Sequence, residues 1–334
     1  MRAIVQHGYG SPDVLRLREV DPPVAADHEV LVRVHAAAVN ARDWHVLRGD
    51  PYLARLMTGS AFGLRQPRTS IRGSDFAGEV TAVGRNVTRF RPGDHVYGDV
   101  READGAFAEY VCVSQEAVDS KPANLTFEEA AALPLAGCTA LLGLRDAGRV
   151  RPGQSVLING ASGGVGTFAV QIARSLGAEV TAVCSTRHLE LVGSLGADHV
   201  IDYTRTDFTR QGQRHDVIFD LVANRSLTGY RRALKPAGTL VLAGGGVASR
   251  GRPRMAGPIG LLLRGLLVSR LVRHRVATLT EVRPSRENLA ALRELVEAGM
   301  VVPVIDRTYP LVQVAEAIGY LEGEHARAKV VITV

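Results

Sequence analysis

Residues 155–166 read SVLINGASGGVG and run directly into the helix-patterned TFAVQIARSLGA. The apolar stretch Val156-Leu157-Ile158 enters a turn made of Asn159, Gly160, Ala161, Ser162, Gly163, Gly164, Val165 and Gly166. Strand, tight glycine turn and helix in that order form a seat for a dinucleotide pyrophosphate. The turn brings backbone N–H groups close to the phosphates, and the helix N-terminus adds partial positive charge. The flanking strand and helix are the context that makes a bare glycine pattern specific. Gly163 sits where a side chain would block the pyrophosphate, and Gly166 lets the helix pack against the strand. Ala161 takes the place of the fingerprint's first glycine, so the turn there must accept a methyl group. The alternative is a glycine turn without ligand, which costs backbone entropy that the flanking elements do not require.

The end of the second strand selects the dinucleotide. An NAD site usually places an Asp or Glu there, on the ribose 2′-OH. Here Glu179-Val180-Thr181-Ala182-Val183-Cys184 ends in Ser185-Thr186-Arg187, with no carboxylate. Two hydroxyls and a guanidinium suit a 2′-phosphate, which predicts NADPH. A helix cap at Ser185 or Thr186 followed by a solvated arginine is compatible with that reading. A third strand follows at His199-Val200-Ile201, with Tyr203 just beyond it. A fourth, Asp216–Asp220, is nearly all apolar, as a strand covered on both faces should be. A fifth, Thr239–Ala243, runs into Gly244-Gly245-Gly246. Ligands in doubly wound sheets lie at the carboxyl ends of the strands. That rule puts Val222, Ala243, Gly244 and Gly245 near the nicotinamide end.

Residues 1–123 read differently. Short alternating segments such as Glu29–Val34, Gly78–Gly84, His95–Gly98 and Ala106–Val113 are separated by Gly, Pro and Asp, the pattern of a partly open β-barrel. Residues 124–150 are helical, and Thr126 followed by Glu129 reads as a capping box. The tail carries helices at 285–298 and 311–321 and strands at 302–309 and 329–334, which predicts that it returns to the barrel. The division expected is therefore 1–123 plus 282–334 for a barrel unit and 124–281 for a nucleotide unit, consistent with a length of 334 residues. No apolar run spans a bilayer, and MRAIVQHGYG is a strand pattern rather than a signal peptide; the cytoplasm is the expected location. Cys112, Cys138 and Cys184 stand alone, which indicates neither a disulfide framework nor a zinc knuckle. A net charge of +6 admits anionic ligands without implying nucleic acid.

These stretches together resemble the medium-chain dehydrogenase/reductase superfamily, and within it the zinc-free quinone oxidoreductase branch. The resemblance rests on R-P-G-Q-S-V-L at 151–157, A-S-G-G-V-G at 161–166, L-G-A-D-H-V-I-D-Y at 195–203, R-G-S-D-F-A-G-E-V at 72–80, R-P-G-D-H-V-Y-G at 91–98 and A-R-A-K-V-V at 326–331. It implies an α/β fold, a Rossmann doubly wound sheet inserted in a GroES-like partly open β-barrel. The zinc alcohol dehydrogenases of this superfamily hold their metal through a Cys and a G-H-E motif. Asn40 and Gly73-Ser74-Asp75 stand at those places here, and an amide and a hydroxyl replace thiolate and imidazole poorly. The resemblance thus implies no metal, and a hydride passed to an acceptor that delocalises charge by itself, a quinone or an α,β-unsaturated carbonyl.

The same resemblance assigns individual residues. Asn40 faces nicotinamide and substrate and donates to the developing oxyanion; Asp43 orients Asn40 or His45, or is an ordinary cap. Thr139 touches the nicotinamide, its alternative being a helix hydroxyl bonded to its own backbone. Tyr203 and Lys329 meet the coenzyme's phosphate or adenosine end, or else close the third strand and flank the last one. Tyr52 lines the substrate pocket or covers surface. No residue reads as a dedicated proton donor, so water is the expected proton source. A zinc-type alcohol dehydrogenase and a non-catalytic NADPH-binding protein are the competing functions. A homodimer joined at Val276–Leu279 is expected. Residues 51–71 read as a long loop at the substrate side, and residues 250–275 as an arginine-bearing apolar helix over a cleft or at a subunit contact, without the polar stripe of a membrane anchor.

Overall fold

The computed structural model describes residues 1–50, 52, 55, 61–244, 274–279, 282, 284–323 and 326–334. Gly245, residues 51, 53, 54 and 56–60 of the loop read at 51–71, and nearly all of the segment at 250–275 lie outside the described residues. The chain forms two units, one of residues 1–138, 283–299 and 303–334, the other of 139–282 and 300–302.

The strands in chain order begin with β1 (Arg2–Val5), β2 (Arg16–Glu19), β3 (Glu29–Val39), β4 (Asp75–Val83), β5 (His95–Asp99), β6 (Tyr110–Ser114) and β7 (Val118–Ser120). They continue with β8 (Ser155–Asn159), β9 (Glu179–Cys184), β10 (His199–Asp202), β11 (His215–Asp220), β12 (Leu234–Leu242) and β13 (Arg275–Thr278), then β14 (Ile305–Pro310) and β15 (Lys329–Thr333). The helices are α1 (Ala41–Arg48), α2 (Phe127–Ala131), α3 (Pro134–Leu141), α4 (Gly164–Ser175), α5 (Leu189–Ser194), α6 (Leu227–Ala233), α7 (Arg286–Glu297) and α8 (Val314–Gly323).

The first unit is built on β3. Its first half pairs with β6 and its second half with β15, while β4 runs along the other edge, all antiparallel. The sheet reads β14-β15-β3-β4-β5-β7, with β6 also on β3. The tail therefore does return to the barrel, by inserting β15 between β14 and β3. Apolar side chains of alternating β3 positions, with Phe76, Phe107, Trp44 and Leu47, form the core. Thr126 caps α2: its hydroxyl accepts from Glu129 N at 3.2 Å, and the Glu129 carboxylate accepts from Thr126 N at 2.8 Å. The helix lies on β3 and β4, so residues 124–138 fall in this unit and the boundary comes at 138/139 rather than at 123/124. Packing on the barrel, rather than sequence adjacency to the nucleotide strand, decides their place.

The second unit holds a parallel sheet in the order β10-β9-β8-β11-β12-β13. Numbered from its own first strand, that is 3-2-1-4-5-6, the doubly wound order. Strand direction of winding reverses between β8 and β11, so the crevice for a ligand opens at their carboxyl ends. No helix among the described residues is long and apolar enough to cross a membrane.

Candidate active site

The turn after β8 has the shape its sequence demands. Gly160 adopts φ +93°, a conformation that disfavours any side chain. A Cβ on Gly166 would lie 2.1 Å from Gly160 O, so helix α4 packs on the turn only with glycine there. A Cβ on Gly163 would meet nothing closer than Gly160 O at 3.5 Å. The described residues leave that space open. Gly163 is the N-cap of α4 and gives no side-chain cap, so the first-turn N–H groups at 164–166 have no intrahelical acceptor. Ala161 is fully buried, its N–H donating to Val183 O at 3.0 Å; the methyl group is absorbed by the sheet. Ser162, Gly164 and Val165 are half-buried at the rim. A pyrophosphate fits this donor set.

At the switch point, β11 ends in Asp220, a residue the sequence reading passed over. It is fully buried and accepts from Asn159 Nδ2 at 2.7 Å, Tyr230 Oη at 2.7 Å and Ala223 N at 3.0 Å. Burial raises its pKa, and the Tyr230 bond opposes the rise. The network holds the 221–224 turn, where Ala223 takes φ +57°. Val222 is thereby pressed toward Gly160, and a Cβ there would sit 2.7 Å from Val222 Cγ2. Gly244 follows β12, and a Cβ on it would strike Leu221 O at 2.3 Å. Thus Val222, Ala243 and Gly244 do share the carboxyl edge of the sheet.

Beyond β9, Ser185 is half-buried, and Thr186 and Arg187 are exposed. The structure brings a carboxylate here that the strand's own sequence lacks. Asp202, the last residue of β10, accepts from the Thr186 hydroxyl and from Thr204 N at 2.9 Å, and Arg205 lies 3.5 Å away. Its oxygens are engaged by neighbours. Tyr203 next to it is exposed. Thr139, on α3, is buried.

The first unit contains a compact polar cluster. Strand β3 lies between β4 and β15, with Ala38 opposite Asp75 and Val39 opposite Val330. Asn40, the next residue, therefore emerges between Asp75 and Lys329. Lys329 Nζ donates to Asn40 Oδ1 at 2.7 Å and lies 3.5 Å from Asp75 Oδ2. Asn40 Nδ2 donates to Asp75 Oδ2 at 2.9 Å and, at 3.4 Å, to Ala38 O. Relative exposures are 2% for Lys329, 0% for Asp75 and 8% for Asn40. Lys329, which the resemblance assigns to the phosphate or adenosine end, thus commits its ammonium to Asn40. Asp43 accepts from Asn40 N at 2.7 Å. This is the cap reading: Asn40 is the N-cap of α1 and Asp43 its N3 partner in a capping box. His45 Nδ1 faces Asp50 O at 2.9 Å and its ring stacks on Trp44. Tyr52 is exposed beneath the Arg55 guanidinium.

The cluster is rich in buried acid. Burial lifts the Asp43 carboxyl to about 7. Burial also raises Asp75, against the pull of Lys329 and the Asn40 bond. Asp99 stands opposite Asp75 in the β4–β5 register, and burial together with the Asp75 charge raises it.

The side chains at this place are poor ligands for zinc. Asn40 Oδ1 already faces an ammonium, which would repel a divalent ion. Ser74 offers a hydroxyl, and Cys138 one thiol. Among the described residues no three His, Cys, Asp or Glu side chains are grouped to hold a metal.

Comparison with known proteins agrees with this architecture. Residues 26–123 match the family described as alcohol dehydrogenase GroES-like domain, and residues 195–332 the family described as zinc-binding dehydrogenase. A 2-methylene-furan-3-one reductase of Solanum lycopersicum is 35% identical, over 99% of this chain and 79% of the relative. An NADPH-dependent alkenal/one oxidoreductase, chloroplastic, of Arabidopsis thaliana is 33% identical, over 99% and 79%. The structure of the quinone oxidoreductase from Coxiella burnetii superposes with a TM-score of 0.84 at 31% identity, covering 100% of this chain and 99% of that one. With its GroES-like strands, its doubly wound sheet and these relatives, the chain belongs to the medium-chain dehydrogenase/reductase superfamily, in the quinone oxidoreductase-like branch, and is an oxidoreductase that uses a nicotinamide cofactor.

Proposed function

We propose that this chain is an NADPH-dependent reductase of quinones and α,β-unsaturated carbonyls that works without zinc. The observation that carries the reading is the Asn40 amide clamped between Lys329 and Asp75, at the place where the zinc enzymes of the superfamily need a thiolate. Alcohol oxidation needs a Lewis acid to stabilise an alkoxide; conjugated acceptors need only hydrogen-bond donors for the enolate or phenolate that forms. The activities named for the tomato, Arabidopsis and Coxiella relatives support the same substrate classes.

NADPH supplies a hydride when bound. Gly163 and the first N–H groups of α4 would hold its pyrophosphate. Ser185, Thr186 and Arg187 would meet the 2′-phosphate, with Tyr203 beside them. Val222, Ala243, Gly244 and Thr139 would flank the nicotinamide. Asn40 Nδ2 donates to the substrate oxygen as negative charge grows on it, and water delivers the final proton. Strand β13, which pairs only with β12 among the described residues, would join two copies edge to edge; sedimentation showing only monomer removes that part.

The test is a screen of the purified protein with NADPH and NADH against 9,10-phenanthrenequinone, 1,4-benzoquinone and 2-alkenals. The reading expects oxidation of NADPH, well above that of NADH, with at least one class. Tight NADPH binding without turnover of any acceptor would instead identify a binding protein.

A further inference from the structure

The cluster around Asn40 has a direction. An ammonium has only donors and a carboxylate only acceptors. With Lys329 Nζ at 2.7 Å from Oδ1 and Asp75 Oδ2 at 2.9 Å from Nδ2, the Asn40 amide cannot be turned over. Both clamping residues are anchored in turn. Asp75 Oδ1 accepts from Leu135 N at 3.1 Å, and Lys329 N donates to Val304 O at 3.1 Å. One lone pair of the Asn40 carbonyl is therefore engaged by the ammonium, and one of its two N–H bonds by the carboxylate. Among the described residues the second N–H reaches only Ala38 O, at the long distance of 3.4 Å, and a well-aligned acceptor would displace it.

We infer that Lys329 and Asp75 are positioning residues that fix an Asn40 N–H, rather than its carbonyl, as the group offered to the substrate. The inference rests on the reading of the chain as a quinone or enone reductase, and it adds a reason for the direction of that reaction. A carbonyl or quinone oxygen carries acceptors only and matches a lone N–H. An alcohol needs an acceptor for its own proton, and the Asn40 carbonyl, already accepting from an ammonium, is a weakened one. The Lys329 charge also polarises the amide through its oxygen, which strengthens the N–H as a donor. The gain grows as the substrate oxygen becomes an anion, so it falls on the transition state rather than on ground-state binding.

A structural role and a positioning role separate in a pair of variants. Lys329→Met leaves the buried Asp75 without its cation and lowers the melting temperature. Lys329→Met with Asp75→Asn removes both charges and recovers most of that loss. It also leaves two facing amides that hydrogen-bond in either orientation, so the direction of Asn40 is lost. With NADPH and 9,10-phenanthrenequinone as probes, the inference expects kcat to fall about 100-fold in both variants, the lower end of what removing one oxyanion donor costs. KM for NADPH should stay within about twofold, as uniform binding is untouched. Recovery of kcat together with thermal stability in the double variant overturns the inference, as does wild-type kcat in Lys329→Met. If the wild-type protein itself turns over no quinone or enone, the reading of its function fails first, and this inference with it.

Discussion

Asp43 shows how one buried side chain ties stability to pH. Its carboxyl rises from an ordinary 3.8 to about 7, chiefly through burial. A raised carboxyl holds its proton more tightly folded than unfolded, so its contribution to stability declines as pH climbs from about 4 to about 7 and is constant above. Asp43→Asn keeps a carbonyl acceptor for Asn40 N and removes the titration. The variant should gain on the wild type across that window, by up to about 4 kcal/mol, in melts at pH 4.5 and pH 7.5. Parallel curves would mean that Asp43 does not titrate there. The glycines of the coenzyme turn make a second contrast. Gly166→Ala drives a Cβ to 2.1 Å from Gly160 O and should lower both melting temperature and coenzyme affinity. Gly163→Ala meets nothing closer than 3.5 Å among the described residues and should leave the melting temperature unchanged while raising Kd for NADPH at least about tenfold. Unchanged binding in Gly163→Ala would place the pyrophosphate elsewhere.

At the scale of the element, helix α6 does more than cover the sheet. Its Tyr230 hydroxyl donates to Asp220 at 2.7 Å, and Asp220 fixes the turn that carries Val222. Tyr230→Phe leaves a buried carboxylate short of one donor and should cost about 1–3 kcal/mol, read from urea midpoints. It should also loosen coenzyme binding in titrations followed by nicotinamide fluorescence. An undisturbed Kd would confine Asp220 to a structural role. The turn after β8 was legible because strand, glycines and helix are contiguous. The Asp220 network was less so, since Asn159 and Tyr230 lie 61 and 10 positions away from it. The carboxylate beside Thr186 comes from β10, through parallel pairing of Asp202 with Cys184, and no reading of β9 alone contains it.

Across the whole molecule, the first unit is assembled from both ends of the chain, and its polar cluster exists only because of that. Asn40 meets Asp75 across 35 positions and Lys329 across 289. The sequence marks Asn40 by what it is not, a cysteine, but the clamp that turns its amide appears only when β15 enters beside β3. Residues 124–138 belong to this unit because helix α2 packs against β3 and β4. Local patterns therefore revealed the coenzyme seat, while strand register set the chemistry around Asn40. The central claim, reduction of a conjugated acceptor with no metal taking part, is tested most directly by removing metal. Protein dialysed against a strong chelator, with zinc far below one equivalent, should reduce 9,10-phenanthrenequinone with NADPH at the full rate. Activity lost on chelation and restored by zinc would contradict the account.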